Sequence, residues 1–129
     1  MVNLRMFNMR AILTIVGLLF AESVYALSPN INSNQAKLYI DQNANVCGKV
    51  VRIGSDHKSN DRFLNIDSFY PNEIFYFYVP STTNINLNKY LNKNICGFGK
   101  VKHSPRSDIK NNRVVPQIII TNESQISFQ

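Results

Sequence analysis

The sequence predicts an all-β fold, and two observations predict it. Runs rich in β-branched and aromatic residues recur along the chain: NVCGKVVRIG, RFLNID, EIFYFYV, NICGFGKVKH and RVVPQIIIT. Several of them place apolar residues at every second position, the period of a strand with one buried face. Between the runs lie turn-forming polar stretches, SDHKSND, SFYPN and SPRSDIKNN.

The elements follow in order. Residues 27–33 read as a flexible lead-in, with Ser33 as the N-cap of a short helix from Asn34 to about Ile40. The first strand is Asn45 to Gly54, interrupted by Gly48 where a strand can bend or bulge. Arg62 to Asp67 is the second, and Glu73 to Val79 the third, ended by Pro80. Leu87 to Leu91 reads as one helical turn. Asn94 to His103 is the fourth strand, and Arg113 to Thr121 the fifth, with Pro116 marking a bulge or an unpaired edge position. Five strands, a short N-terminal helix and a short helical turn between strands three and four make the layout of an OB-fold, a five-stranded Greek-key barrel. Closing a sheet into a barrel removes exposed edges, which suits a domain spanning only residues 34–126, with 127–129 as a tail.

The first 26 residues read as an address rather than as part of the fold. Arg5 and Arg10, with no acid near them, precede the apolar run AILTIVGLLFA, and Val24 and Ala26 hold the −3 and −1 positions of a small-residue cleavage site. That is the three-part pattern of a secretory signal peptide, residues 1–26. The apolar run is short against the ~20 residues a membrane span needs. The expectation is an exported chain, periplasmic or secreted, with no membrane span after processing.

Apolar residues make up 44% of the chain, enough for a core, and the formal charge is +6. Removing Arg5, Arg10 and Glu22 with the signal leaves 12 basic and 7 acidic side chains. This balance suits an anionic partner, although the basic residues are scattered rather than blocked and fit plain solubility too. Export also bears on the two cysteines, Cys47 and Cys96, because an oxidising compartment favours their pairing. Alternation puts each on the face opposite its valine or isoleucine neighbours. A cross-strand disulfide then follows if the two strands are adjacent, and two buried thiols if they are not. Two cysteines without a histidine pair are too few ligands for a metal site.

Six short strings, in order, carry a resemblance. They are Gln35-Ala36-Lys37-Leu38-Tyr39-Ile40 leading into Asn45-Val46-Cys47-Gly48-Lys49-Val50, then Phe63-Leu64-Asn65-Ile66, Tyr70-Pro71-Asn72-Glu73-Ile74-Phe75, Asn94-Ile95-Cys96 with Gly99-Lys100-Val101, Pro116-Gln117-Ile118, and Ser124-Gln125-Ile126. Together they span residues 34–126, and the chain resembles a family of small bacterial exported OB-fold domains, often called nucleic-acid-binding by analogy. The resemblance implies the OB-fold and no settled activity. Asp41 and Asp67 stand where that family has glycine, and Asn122-Glu123 where a proline is usual.

Candidate binding residues come from the faces of strands two and three, the usual binding surface of an OB-fold. Leu64, Ile66, Phe75, Phe77 and Val79 should point inward, leaving Phe63, Asn65, Asp67, Tyr76 and Tyr78 outside. Phe63, Tyr76 and Tyr78 would form a stacking platform, worth roughly 1–3 kcal/mol per base. A slip of one residue would exchange the two faces. Lys58, Arg62, Lys100, Lys102, Arg106, Lys110 and Arg113, from the flanking loops and strand four, are the expected partners for phosphate. Asp56, Asp61, Asp67 and Asp108 in the same loops oppose it. Catalysis has little support: His57 and His103 are the only histidines, both in solvated loops, and no serine or cysteine has a nucleophile context. The expectation is a binding module, not an enzyme, without cofactor or metal, for single-stranded nucleic acid or another anionic oligomer. The alternative is an envelope protein-interaction or stress-response module with no nucleic-acid ligand.

Overall fold

A computed structural model describes residues 28–129, so the expected signal peptide lies outside the described residues. The described chain is all-β, as the period-two runs predict. Its strands are β1 (Asn30–Asn32), β2 (Asn43–Ser55), β3 (Arg62–Ile66), β4 (Tyr76–Val79), β5 (Asn94–Lys100), β6 (Lys102–His103), β7 (Pro116–Ile119) and β8 (Ile126–Phe128). Helical structure among the described residues is confined to 3-10 turns at Ser33–Leu38, Leu87–Tyr90, Ile109–Asn111 and Glu123–Gln125. No helix there is long and apolar enough to cross a membrane.

The strands form one sheet in the order β6-β7-β4-β3-β2-β5-β8, with β1 beside β2. Pairing is antiparallel except for β4 with β7 and β1 with β2. The predicted fourth strand, Asn94 to His103, appears as β5 and β6, broken at Val101. The Val101 amide donates to Gln42 O at 2.9 Å, and its carbonyl accepts from the Asp41 amide at 2.7 Å. Before the break this stretch pairs with β2, and after it with β7. One length of chain thus touches both sides of the sheet, which curls towards a barrel compatible with an OB-like fold.

The five predicted strands correspond to β2, β3, β4, β5–β6 and β7, and three departures have physical causes. The expected lead-in holds β1, because the 13-residue β2 outruns the 5-residue β3 and leaves backbone at Asn45, Val46 and Cys47 for it to pair with. Ile31 is buried there. The expected helix is a 3-10 turn, and Asn32, not Ser33, caps it. The Asn32 amide donates to Gln35 Oε1 at 2.9 Å, while the Ser33 hydroxyl donates to Asp67 Oδ2 at 2.6 Å. The expected tail, 127–129, joins the sheet through β8, which pairs with β5.

The core lies inside the curl. Across four strands the inward residues Ile53, Leu64, Phe77 and Ile118 sit side by side in register. Leu87 and Tyr90, from the 3-10 turn between β4 and β5, join the same cluster. Gly97 and Gly99 of β5 carry no side chain where Phe77 and Ile118 press against the backbone. Cys47 and Cys96 face each other directly across β2 and β5 and form a disulfide, so the two strands are neighbours. Asp41 and Asp67 adopt φ of 66° and 63°. This left-handed conformation favours glycine, the residue the resembled family carries at both positions.

Candidate ligand groove on the outer face

The registers that build the core also build two outward rows. Gly54 of β2, Phe63 of β3, Tyr78 of β4 and Ile119 of β7 are consecutive cross-strand partners. Two residues along each strand, Arg52, Asn65, Tyr76, Gln117 and Lys102 of β6 form a second, polar row. The stacking row and the polar row thus lie side by side, about 7 Å apart at ~3.4 Å rise per residue.

Gly54, Phe63 and Tyr78 of the first row and Arg52, Asn65, Tyr76 and Gln117 of the second floor a groove of about 570 Å³, which Tyr70, Glu73, Pro105, Arg106, Ser55, Asp56 and Asp61 also line. Phe63 anchors its aromatic floor. Its ring meets Tyr76 edge-on at 5.4 Å and Tyr78 at a tilt at 5.5 Å. Tyr70, which is 55% exposed, stands over the groove with the Arg106 guanidinium 4.5 Å and that of Arg52 5.9 Å from its ring centre.

Tyr76 requires a correction. It lies on the outer face, as alternation predicts, but is only 3% exposed. Its ring is an edge of the floor and not an open platform. Burial raises its hydroxyl pKa, opposed by a hydrogen bond with Ser104. Tyr78 is half-buried, and its hydroxyl donates to Asp61 Oδ2. That bond, followed by burial and the Asp61 charge, pushes the hydroxyl up to about 12.

The expected frame of seven cations is not assembled around this groove. Arg106 lines it. Arg113 sits behind it, donating to Pro71 O at 2.6 Å and pairing with Glu73 at 3.4 Å. Arg62 has the parity of Leu64 and Ile66 and turns away, donating to Ile85 O at 2.6 Å and Thr83 O at 2.7 Å. Lys102 pairs with Asp41 at 2.8 Å. Lys58, Lys100 and Lys110 are exposed and line no part of the groove.

Sequence reasoning missed Arg52, Tyr70, Gln117 and Glu73. Alternation in RVVPQIIIT would have found Gln117, which shares a face with Ile119. Glu73 is 7% exposed and held between Arg106 at 3.3 Å and Arg113 at 3.4 Å. Asp61 accepts from the Ser81 amide at 2.8 Å as well as from Tyr78, and the two bonds hold its carboxyl below the usual range. Backbone amides of Lys58 and Ser59 do the same for Asp56. Each groove carboxylate is therefore already engaged by donors of the protein. Arg52 has no ion-pair partner among the described residues. The arrangement offers a flat apolar surface, a hydrogen-bonding edge and two guanidinium groups, the means to hold a planar ligand.

His57 and His103 are exposed and outside the groove, and among the described residues no group of three His, Cys, Asp or Glu is placed to hold a metal ion.

No protein-family model and no curated protein matches the chain. Among solved structures, the chain is similar to the aspartyl tRNA synthetase from Entamoeba histolytica, at 15% sequence identity and a TM-score of 0.44. The match covers 70% of this chain and 19% of that one, so the chain spans about a fifth of the length of that protein.

Proposed function

We propose that this protein is an exported, non-catalytic binding module of the OB type whose outer groove holds short single-stranded nucleic acid. The observation that carries the reading is the Phe63–Tyr78 pair, an apolar floor on which bases stack, in a groove that Tyr70, Arg52 and Arg106 also line, the two arginines for phosphate. The OB reading is supported by the path β7-β4-β3-β2-β5, its parallel β4–β7 pair, and the helical turn between β4 and β5 at the end of the core. Export is supported by the three-part N-terminal pattern and the Cys47–Cys96 bridge.

A second reading, an envelope protein-interaction module, is favoured by one observation: three carboxylates, Asp56, Asp61 and Glu73, line the same groove as the two arginines. Such a mixed groove accepts an extended peptide bearing an aromatic and a basic side chain.

The test is titration of the purified disulfide-bonded protein with labelled single-stranded DNA and RNA. Tyr70→Ala is the informative variant, since Tyr70 is exposed and its loss leaves the core intact. Micromolar binding that weakens at least about fivefold in Tyr70→Ala supports the nucleic-acid reading, taking ~1–3 kcal/mol per stacked base. No binding at low salt, together with an envelope protein crosslinked through the groove, replaces it with the second reading.

A further inference from the structure

The loop between β3 and β4 carries apolar surface that the groove does not use. Phe69 to Asn72 are four consecutive exposed residues in it. Phe69 is 62% exposed and lines no part of the groove, and Ile74 is exposed and outside the groove as well. The loop is held in shape by its own hydrogen bonds. The Asn72 amide donates to Phe69 O at 2.8 Å, and the Ile74 amide donates to Ser68 Oγ at 2.9 Å. It is also pinned to the loop between β6 and β7, from which Arg113 donates to Pro71 O and Arg106 covers the Tyr70 ring. A loop fixed in this way loses little conformational entropy when its apolar side chains are buried against a partner.

Three guanidinium groups flank this loop. Arg52 and Arg106 stand over Tyr70, and Arg113 touches Pro71. All three are exposed, whereas Glu73, the carboxylate that pairs with Arg106 and Arg113, is buried. Asp67, at the start of the loop, is taken up by the Ser33 hydroxyl and the Lys49 amide. Three arginines against Glu73 leave two net positive charges around the exposed aromatic pair Phe69 and Tyr70. We infer that this loop is a membrane-contact element: Phe69 and Ile74 enter the interfacial region of an anionic phospholipid bilayer, and Arg52, Arg106 and Arg113 rest on its headgroup phosphates. Apolar side chains ringed by arginine match such a boundary, the apolar groups at the acyl level and the guanidinium groups at the phosphate level. A nucleic-acid strand supplies the same phosphates but no apolar phase to receive Ile74, which offers no ring for a base to stack on. The inference stands apart from the nucleic-acid reading, because Phe69 and Ile74 lie outside the groove.

The experiment uses residues 27–129, which hold every described element, with the disulfide formed. The chain contains no tryptophan, so Phe69→Trp supplies a single fluorescent reporter at the tip. Its emission should shift to the blue on addition of vesicles of phosphatidylglycerol mixed equally with phosphatidylcholine. In vesicle co-sedimentation the unaltered sequence should bind this mixture roughly thirtyfold more tightly than phosphatidylcholine alone, for two net charges at the surface. Phe69→Ser, which touches no core residue, should weaken vesicle binding roughly tenfold and leave oligonucleotide binding unchanged. Absence of vesicle binding overturns the inference. So does vesicle binding without a blue shift, because the arginines alone would then hold the protein at the surface. A loss of oligonucleotide binding in Phe69→Ser assigns the tip to the nucleic-acid site and overturns it too, while leaving the nucleic-acid reading standing.

Discussion

The Tyr78 hydroxyl donates to the Asp61 carboxylate, and that carboxylate also accepts from the Ser81 amide at 2.8 Å. This couples the end of β4 to the loop that precedes β3. Tyr78 is held up to about 12 from an ordinary 10.0, first by this hydrogen bond. Between those values the unfolded chain releases the proton and the folded chain keeps it. The stability contributed is therefore complete below pH 10 and lost as pH rises through about 12. Asp61 behaves oppositely: its lowered pKa contributes above the ordinary 3.8 and is lost as pH falls. In a tyrosinate absorbance titration, Asp61→Asn should return one tyrosine towards the ordinary range, and Tyr78→Phe should remove the late-titrating component. An unchanged titration in both variants would disprove the coupling.

Gly97 is a packing requirement of the core. A Cβ at this position would run into the ring of Phe77. Phe77 is fully buried and makes an edge-on contact with Phe75 at 5.0 Å, so it has little room to retreat. Gly97→Ala should cost roughly 1–3 kcal/mol by overpacking. Gly54→Ala is the control, since its Cβ would lie at an ordinary 3.8 Å from Phe63. Urea unfolding of the two variants should show a clear loss for the first and little change for the second.

The all-β character and the inward set were legible in the chain because both depend on local alternation. Leu64, Ile66, Phe77 and Val79 face inward, as period two requires. β1 was not legible, because the three residues Asn30–Asn32 hold a single apolar side chain, too few to show a period, and pair only where β2 leaves unpaired backbone. The aromatic part of the site followed from the same alternation. The cations did not, because a long charged side chain turns to its tertiary partner, whichever element carries it. Arg113 is drawn to Glu73, and Lys102 to Asp41. Alternation assigns a side to a strand residue but not its cover, so it puts Tyr76 on the outer face without revealing that the ring there is covered.

Gln125 ties the two sides of the curled sheet together. Its Nε2 donates to Phe98 O of β5 at 2.9 Å and to Ile119 O of β7 at 3.1 Å. Its Oε1 accepts from the amides of Thr121 at 2.8 Å and Asn122 at 3.0 Å. β5 and β7 share no ladder pairing, so this side chain supplies hydrogen bonds there that the backbones do not exchange. At ~0.5–1.5 kcal/mol net per bond, reduced by partial exposure, Gln125→Ala should lose about 2 kcal/mol. Amide exchange at Thr121 and Asn122 should accelerate with it. Unchanged stability and exchange would show the seam to be held by core packing alone.

The disulfide closes a sequence separation of 49 residues. Loop-closure entropy for a loop of that size predicts about 4 kcal/mol of stabilisation. Cys47→Ser with Cys96→Ser should lower the urea midpoint accordingly, and reductant should do the same to the wild type but not to the variant. The groove residues named above come from the half of β2 beyond the bridge, from β3, β4 and β7, and from the loops that follow β2, β3 and β6, so ligand binding at a temperature where the variant stays folded should be retained.

The distribution of charge sets how binding responds to salt. A groove framed by all seven expected cations would contact many phosphates, and affinity would fall steeply with ionic strength. Here only Arg52 and Arg106 border the groove, and Arg106 is shared with Glu73. Each neutralised phosphate contributes about −0.7 to the slope of log K against log salt for a single strand, so two contacts give about −1.4. Stacking on Phe63, Tyr78 and Tyr70 is insensitive to salt by comparison. Affinity for a short oligonucleotide should then weaken about sevenfold from 50 to 200 mM salt, and Arg52→Ala should flatten the slope by about one phosphate contact. A slope steeper than about −4 would mean that the exposed lysines Lys58, Lys100 and Lys110 engage the strand after all, along a path that leaves the groove.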